Sequence, residues 1–121
     1  MKITGVTCRM LSGTLQTPIQ FGIGAFPTFA ATLVQITTDD GLIGVGEAIV
    51  RKAPQVTRAV VESLLGPILL GRDPHDAEGL WDEMFQQLRG WGHWRGFVFE
   101  AISGIDTALW DILGKAAGLP V

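Results

Sequence analysis

Ser103-Gly-Ile-Asp-Thr-Ala-Leu-Trp-Asp-Ile-Leu-Gly-Lys-Ala-Ala-Gly-Leu-Pro120 reads as the body of one long helix. With the residues just before it, Val98, Ala101, Ile102, Ile105, Leu109, Ile112, Leu113 and Ala116 recur at intervals of three and four and form one apolar stripe. Asp111 stands four before Lys115 on the outer side, a pair worth roughly a few tenths of a kcal/mol. Gly118 and Pro120 then supply a stop. Extended back to its start, the helix covers about 97–117. Asp106 sits at the edge of the stripe and needs a donor, for which Arg95 or a neighbouring helix start is the candidate.

Working outward, Gly90-Trp-Gly-His-Trp-Arg-Gly96 breaks the helical pattern. Before it, Asp73 is expected to cap a helix with Pro74 in its first position, and Ala77, Leu80, Trp81, Met84, Phe85 and Leu88 make the stripe. Pro54 suits the first turn of an earlier helix, with Val56, Val60, Val61, Leu64 and Leu65 on one side up to Gly66-Pro67. Upstream the period changes from helical to two. Residues 2–12 alternate as a strand, with Val6, Cys8 and Met10 on one face; residues 30–38 and 42–49 give two more. Asp39-Asp40-Gly41 is the hairpin turn between the last two. Strands first and helices after predict an α+β fold, a three-stranded antiparallel meander followed by a bundle of about three helices.

The chain has 121 residues, enough for one domain with a real core. Hydrophobic residues make up 47% and charged residues 17%, and the mean hydropathy is +0.33, so part of the apolar surface is expected to meet a partner. A net charge of −3 without a basic patch argues against nucleic acid. Cys8 is the single cysteine, which excludes a disulfide framework and a cysteine metal site. No signal-like h-region and no membrane-length apolar run is present, so a cytoplasmic location is expected.

The string Ser103–Pro120, together with Gly44-Val-Gly-Glu47-Ala on the third strand, resembles mandelate racemase/muconate lactonizing enzyme-like proteins of the enolase superfamily. It is similar to the helix that ends their N-terminal capping domain and leads into a catalytic (β/α)-barrel, so residues 1–121 correspond to that capping domain. The resemblance implies a dehydratase, racemase or cycloisomerase acting on a carboxylate, with acid sugars as a class. It also implies a homo-oligomer. Mg²⁺ and the proton-abstracting base would lie on the barrel, which begins beyond Val121 in the family. No catalytic or metal-binding residue is therefore assigned on this chain, and the chain is expected to be inactive alone. The competing reading is a standalone α+β binding or self-assembly module.

Thr14–Phe29 is read as a long irregular connection rich in apolar residues. By resemblance it is the lid over the substrate, with Ile19, Phe21, Ile23 and Phe26 as contacts; otherwise its phenylalanines belong to the domain's own core. Gly22-Ile-Gly24 is no nucleotide loop, since a third glycine and a following helix are missing. Glu47 shares a strand face with Ile43 and Val45. It is either a structural carboxylate or, by resemblance, a substrate-side one. Arg51 and Lys52 follow in the second specificity loop, suited to an anionic substrate or simply to water. His75 and His93 lack the spacing of a metal pair. Trp81 and Trp110 are expected in the core, and Trp91 and Trp94 on a partner-facing loop.

Overall fold

The three strands pair as one antiparallel sheet in the order β1-β2-β3. The computed structural model describes residues 1–49 and 52–121. Strand β1 is Ile3–Phe21, β2 is Gly24–Thr38 and β3 is Ile43–Ala48. Helix α1 (Pro54–Ala59) runs into a π-helical stretch, Val60–Leu65, and then into α2 (Gly66–Leu69). The widened turns precede Pro67, whose missing N–H and bulky ring disfavour a regular α-helical continuation. Helices α3 (Ala77–Arg89) and α4 (Phe97–Ala117) complete the chain. The architecture is the α+β order expected, a meander followed by three helical segments.

One face of the sheet carries the core. Val34, Ile36, Gly44, Gly46 and Ala48 turn toward the helices and are buried. They meet Leu65, Leu69, Leu80, Met84, Ile102, Ile105, Leu109 and Ile112, all essentially without solvent access. Helix α4 comes unusually close to β3. A Cβ at Gly44 would stand 2.1 Å from the Ala108 carbonyl oxygen, and one at Gly46 would stand 2.0 Å from that of Gly104. Glycine is what lets helix and strand backbones touch here.

Both sheet edges are closed by carboxylates from the helices. At the β3 edge, Val45 N–H donates to Asp111 Oδ2 at 2.8 Å, and Lys115 Nζ donates to the Ile43 carbonyl at 2.7 Å and to Asp111 Oδ2 at 2.6 Å. At the β1 edge, Cys8 N–H donates to Glu62 Oε1 at 2.9 Å, and Arg58 Nε holds the other oxygen of Glu62 at 2.9 Å. An exposed edge strand is a template for pairing with another chain, and these contacts occupy part of it. The Asp111–Lys115 pair therefore does more than its helical spacing implies.

Four sequence expectations change. Thr14–Phe29 is not irregular: β1 and β2 continue as a paired ribbon past Thr14↔Thr28, resume at Ile19↔Phe26 after a register shift, and end at Phe21↔Gly24. Asp73-Pro74 does not open α3. The Asp73 carboxylate instead accepts the His75 N–H at 3.0 Å and contacts His75 Nδ1 at 2.8 Å, closing a local turn, and the helix begins at Ala77. Trp110 is not core but 43% exposed, because Leu109 takes the inward position beside it. Its indole, one turn along from Asp106, is the group that opposes the upward push of burial on that carboxyl, a part the sequence offered to Arg95. Arg95 lies over the Trp94 ring, 4.8 Å from its centroid. Among the described residues no helix is long and apolar enough to cross a membrane.

Candidate functional site

The ribbon leaves the core: among the described residues, none between Arg9 and Leu33 joins the contiguous buried cluster. Ile19, Phe21, Phe26 and Phe29 remain 41% or more exposed. Phe21 and Phe26, near the end of the ribbon, stack with ring centroids 4.6 Å apart and planes at 24°. Offset stacking of this kind stabilises an aromatic pair by about 0.5–1.5 kcal/mol beyond burial. It stiffens a hairpin that otherwise has little to hold it.

Between this ribbon and the segment following β3 lies a cleft of about 730 Å³. Ile19, Phe21, Phe26, Pro27 and Phe29 form one wall; Ile49, Lys52, Ala53 and Pro54 form the other. The volume is in the range of small-molecule sites, which are mostly apolar with a few fixed polar groups. Among the described residues, Lys52 is the cationic side chain on this lining. A concave apolar surface with one ammonium group suits a small organic anion whose carbon skeleton lies on the phenyl faces.

The floor of the second wall is held in an uncommon conformation. Ala53 has φ 84° and ψ 68°, left-handed for a residue with a Cβ, and it precedes Pro54. Such a backbone costs about 1–3 kcal/mol and persists only where its surroundings impose it. The Thr32 hydroxyl, fully buried on β2, donates to the Pro54 carbonyl at 3.4 Å and ties this corner to the sheet. Thr57, one turn into α1, is fully buried, and its hydroxyl has no hydrogen-bond partner among the described residues.

Of the residues singled out in the sequence, Ile19, Phe21 and Phe26 come together at the cleft. Ile23 lies at the turn of the ribbon, 96% exposed and away from the lining. Glu47 lies on the outward face of β3 with Ile43 and Val45, but that face is open to solvent, the reverse of the apolar enclosure its neighbours suggest. Arg51 lies outside the described residues. Sequence reasoning missed Ala53, whose left-handed backbone has no signal in an Ala-Pro dipeptide, and it gave Lys52 no more weight than its neighbour.

The family profile described as mandelate racemase / muconate lactonizing enzyme, N-terminal domain, matches residues 3–121. D-galactarolactone cycloisomerase from Agrobacterium fabrum is 40% identical over 121 residues, a match covering 100% of this chain and 31% of that protein. Arabinonate dehydratase from Saccharolobus solfataricus is 40% identical over 87 residues, covering 72% of this chain and 23% of that one. Among solved structures, a racemase from Streptomyces coelicolor A3(2) with bound magnesium superposes with a TM-score of 0.88 at 30% identity, over 95% of this chain and 32% of that one. The chain thus spans less than a third of the length of either curated relative.

Proposed function

Because the chain belongs to the mandelate racemase/muconate lactonizing enzyme family through its N-terminal domain, we propose that it is the substrate-selecting cap of a magnesium-dependent dehydratase, racemase or cycloisomerase. The substrate in this reading is a small carboxylate. A sugar acid fits the names of the two curated relatives, an arabinonate and a galactarolactone enzyme. The observation that supports it is the cleft between the aromatic ribbon and Lys52.

The cap's part is binding and exclusion of water. The Phe21–Phe26 stack offers a flat apolar surface to a carbon chain, and Lys52 offers a counter-charge to an anion. Closing the ribbon over a substrate lowers the local dielectric, which strengthens every polar contact beneath it. Magnesium would supply charge stabilisation for an enediolate. Among the described residues no three His, Cys, Asp or Glu side chains converge into a metal site; in this proposal the metal would be held by a catalytic barrel. The lone buried thiol of Cys8, pushed up to about 11 by burial and by the Glu62 carboxylate, is compatible with a reducing cytoplasmic setting.

Exchange of caps tests the proposal. The N-terminal domain of the Agrobacterium cycloisomerase is replaced by this chain, and kcat/KM is measured over a panel of sugar acids and lactones with Mg²⁺. The substrate preference should move with the cap, and Phe21→Ala and Lys52→Ala in the chimera should each lower kcat/KM about tenfold or more. A folded, active chimera whose preference remains that of the barrel donor would defeat the reading.

A further inference from the structure

Among the described residues, no helix packs on the outer face of the sheet, the face opposite the core. Ile43 and Val45 on β3 each keep 43% of their surface in water, beside Leu33 and Gln35 on β2. The register aligns one row across all three strands: Arg9 pairs with Leu33, and Leu33 pairs with Glu47. Directly opposed residues share a face, so this row carries a cation at the β1 edge, a leucine in the middle and an anion at the β3 edge. Arg9 and Glu47 are exposed, and neither has an ion-pair partner among the described residues.

We propose that this face is the contact with a second copy of the chain, the two sheets stacked with β2 upon β2 about a two-fold axis running along that strand. Such an axis exchanges the two edges while keeping every row in place. Arg9 of one copy then faces Glu47 of the other, twice, while Leu33 meets Leu33 and Gln35 meets Gln35 at the axis. An axis across the strands at this row would instead set Arg9 against Arg9, and the charges select against it. The two-fold contact is isologous and closed, so it makes a dimer and no fibre. Edge-to-edge pairing is the competing mode, and Asp111, Lys115 and Glu62 already occupy backbone groups on those edges. Sheets packed face to face sit about 10 Å apart, a gap that Arg and Glu side chains span from opposite sides.

Sedimentation equilibrium on the 121-residue chain, over about 5–500 µM, tests this, a range that spans micromolar to sub-millimolar dissociation constants. The parent chain should dimerise. Arg9→Glu and Glu47→Arg alone each place like charges across the axis and should weaken the dimer about tenfold or more. The double exchange restores two opposite-charge contacts and should return the dissociation constant to within about threefold of the parent. Circular dichroism verifies that all four proteins are folded, as exposed positions permit. A monomeric parent, a dimer indifferent to either single change, or a double exchange no tighter than the singles would each overturn the proposal.

Discussion

At Gly46 one methyl group decides whether α4 lies on β3. The added carbon would stand 2.0 Å from the Gly104 carbonyl oxygen, a backbone atom in the middle of a long helix that has no way to move aside. Gly46→Ala is therefore expected to cost about 3 kcal/mol or more, at the upper end of overpacking. Ala53→Gly runs the other way. Left-handed alanine costs about 1–2 kcal/mol, and glycine's extra freedom in the unfolded chain returns about 0.4–1, leaving a net gain of a few tenths or more. Denaturant midpoints for both proteins check the pair of signs. Asp106 gives a third expectation. Burial raises its carboxyl above 3.8, with the Trp110 indole only partly opposing this, so the folded state holds the proton more tightly than the unfolded one. Stability is thus lost as pH rises from about 3.8 through the raised value. Asp106→Asn should gain on the parent between pH 4 and 7 and show no pH-dependent gain below that, in midpoints measured across the range. The glycine pair was visible in the sequence only as part of a resemblance. Its physical cause is a contact between segments some 60 residues apart, which no local pattern encodes.

Among elements, the edge closures tie the sheet to the helices by charge. Partial burial pushes the Asp111 carboxyl up, but the Lys115 ammonium and the Val45 N–H outweigh this and hold it below its ordinary value. Glu62 is likewise held low, its desolvation outweighed by Arg58 and the Cys8 N–H. For both acids the folded state releases the proton more readily, so their contribution is present above about pH 4.5 and lost as pH falls through the depressed values. Asp111→Asn and Glu62→Gln should each cost about 1 kcal/mol at pH 7, the net worth of a charge-assisted bond near the surface, and almost nothing at pH 2.5. Guanidinium midpoints at the two pH values, with salt matched, make the comparison. A cost unchanged at low pH would mean that packing, not charge, holds the edges. The α4 stripe was legible because Val98, Ala101, Ile102, Ile105, Leu109 and Ile112 are buried on one side at helical spacing. The ribbon was not. Residues 12–29 are exposed on both faces, apart from a half-buried Leu15, so no alternation was imposed on them, and a strand without one-sided burial looks like a loop.

Across the whole molecule, the core and the candidate site occupy separate parts of the chain. The contiguous buried cluster draws on Ile3, Cys8, Val34, Ile36, Ala48 and then the helices, and among the described residues it takes nothing between Arg9 and Leu33. The cleft's aromatic wall comes from within that omitted span. Stability and the proposed substrate selection are therefore separable by surgery. Replacing residues 15–27 with a tight Asn-Gly turn joins Thr14 directly to Thr28, partners that already face each other across the ribbon. The shortened protein should unfold within about 0.5 kcal/mol of the parent, as changes outside a core usually do. Leu80→Ala, at a position with no solvent access, should cost about 2–5 kcal/mol. Urea unfolding followed by circular dichroism ranks the two. A loss in the shortened protein as large as that of Leu80→Ala would show the ribbon to be part of the cooperative unit. The expected result leaves a stable domain stripped of Phe21 and Phe26; under the proposed function it would keep its fold and lose its selectivity, because the cleft residues contribute little to the buried cluster.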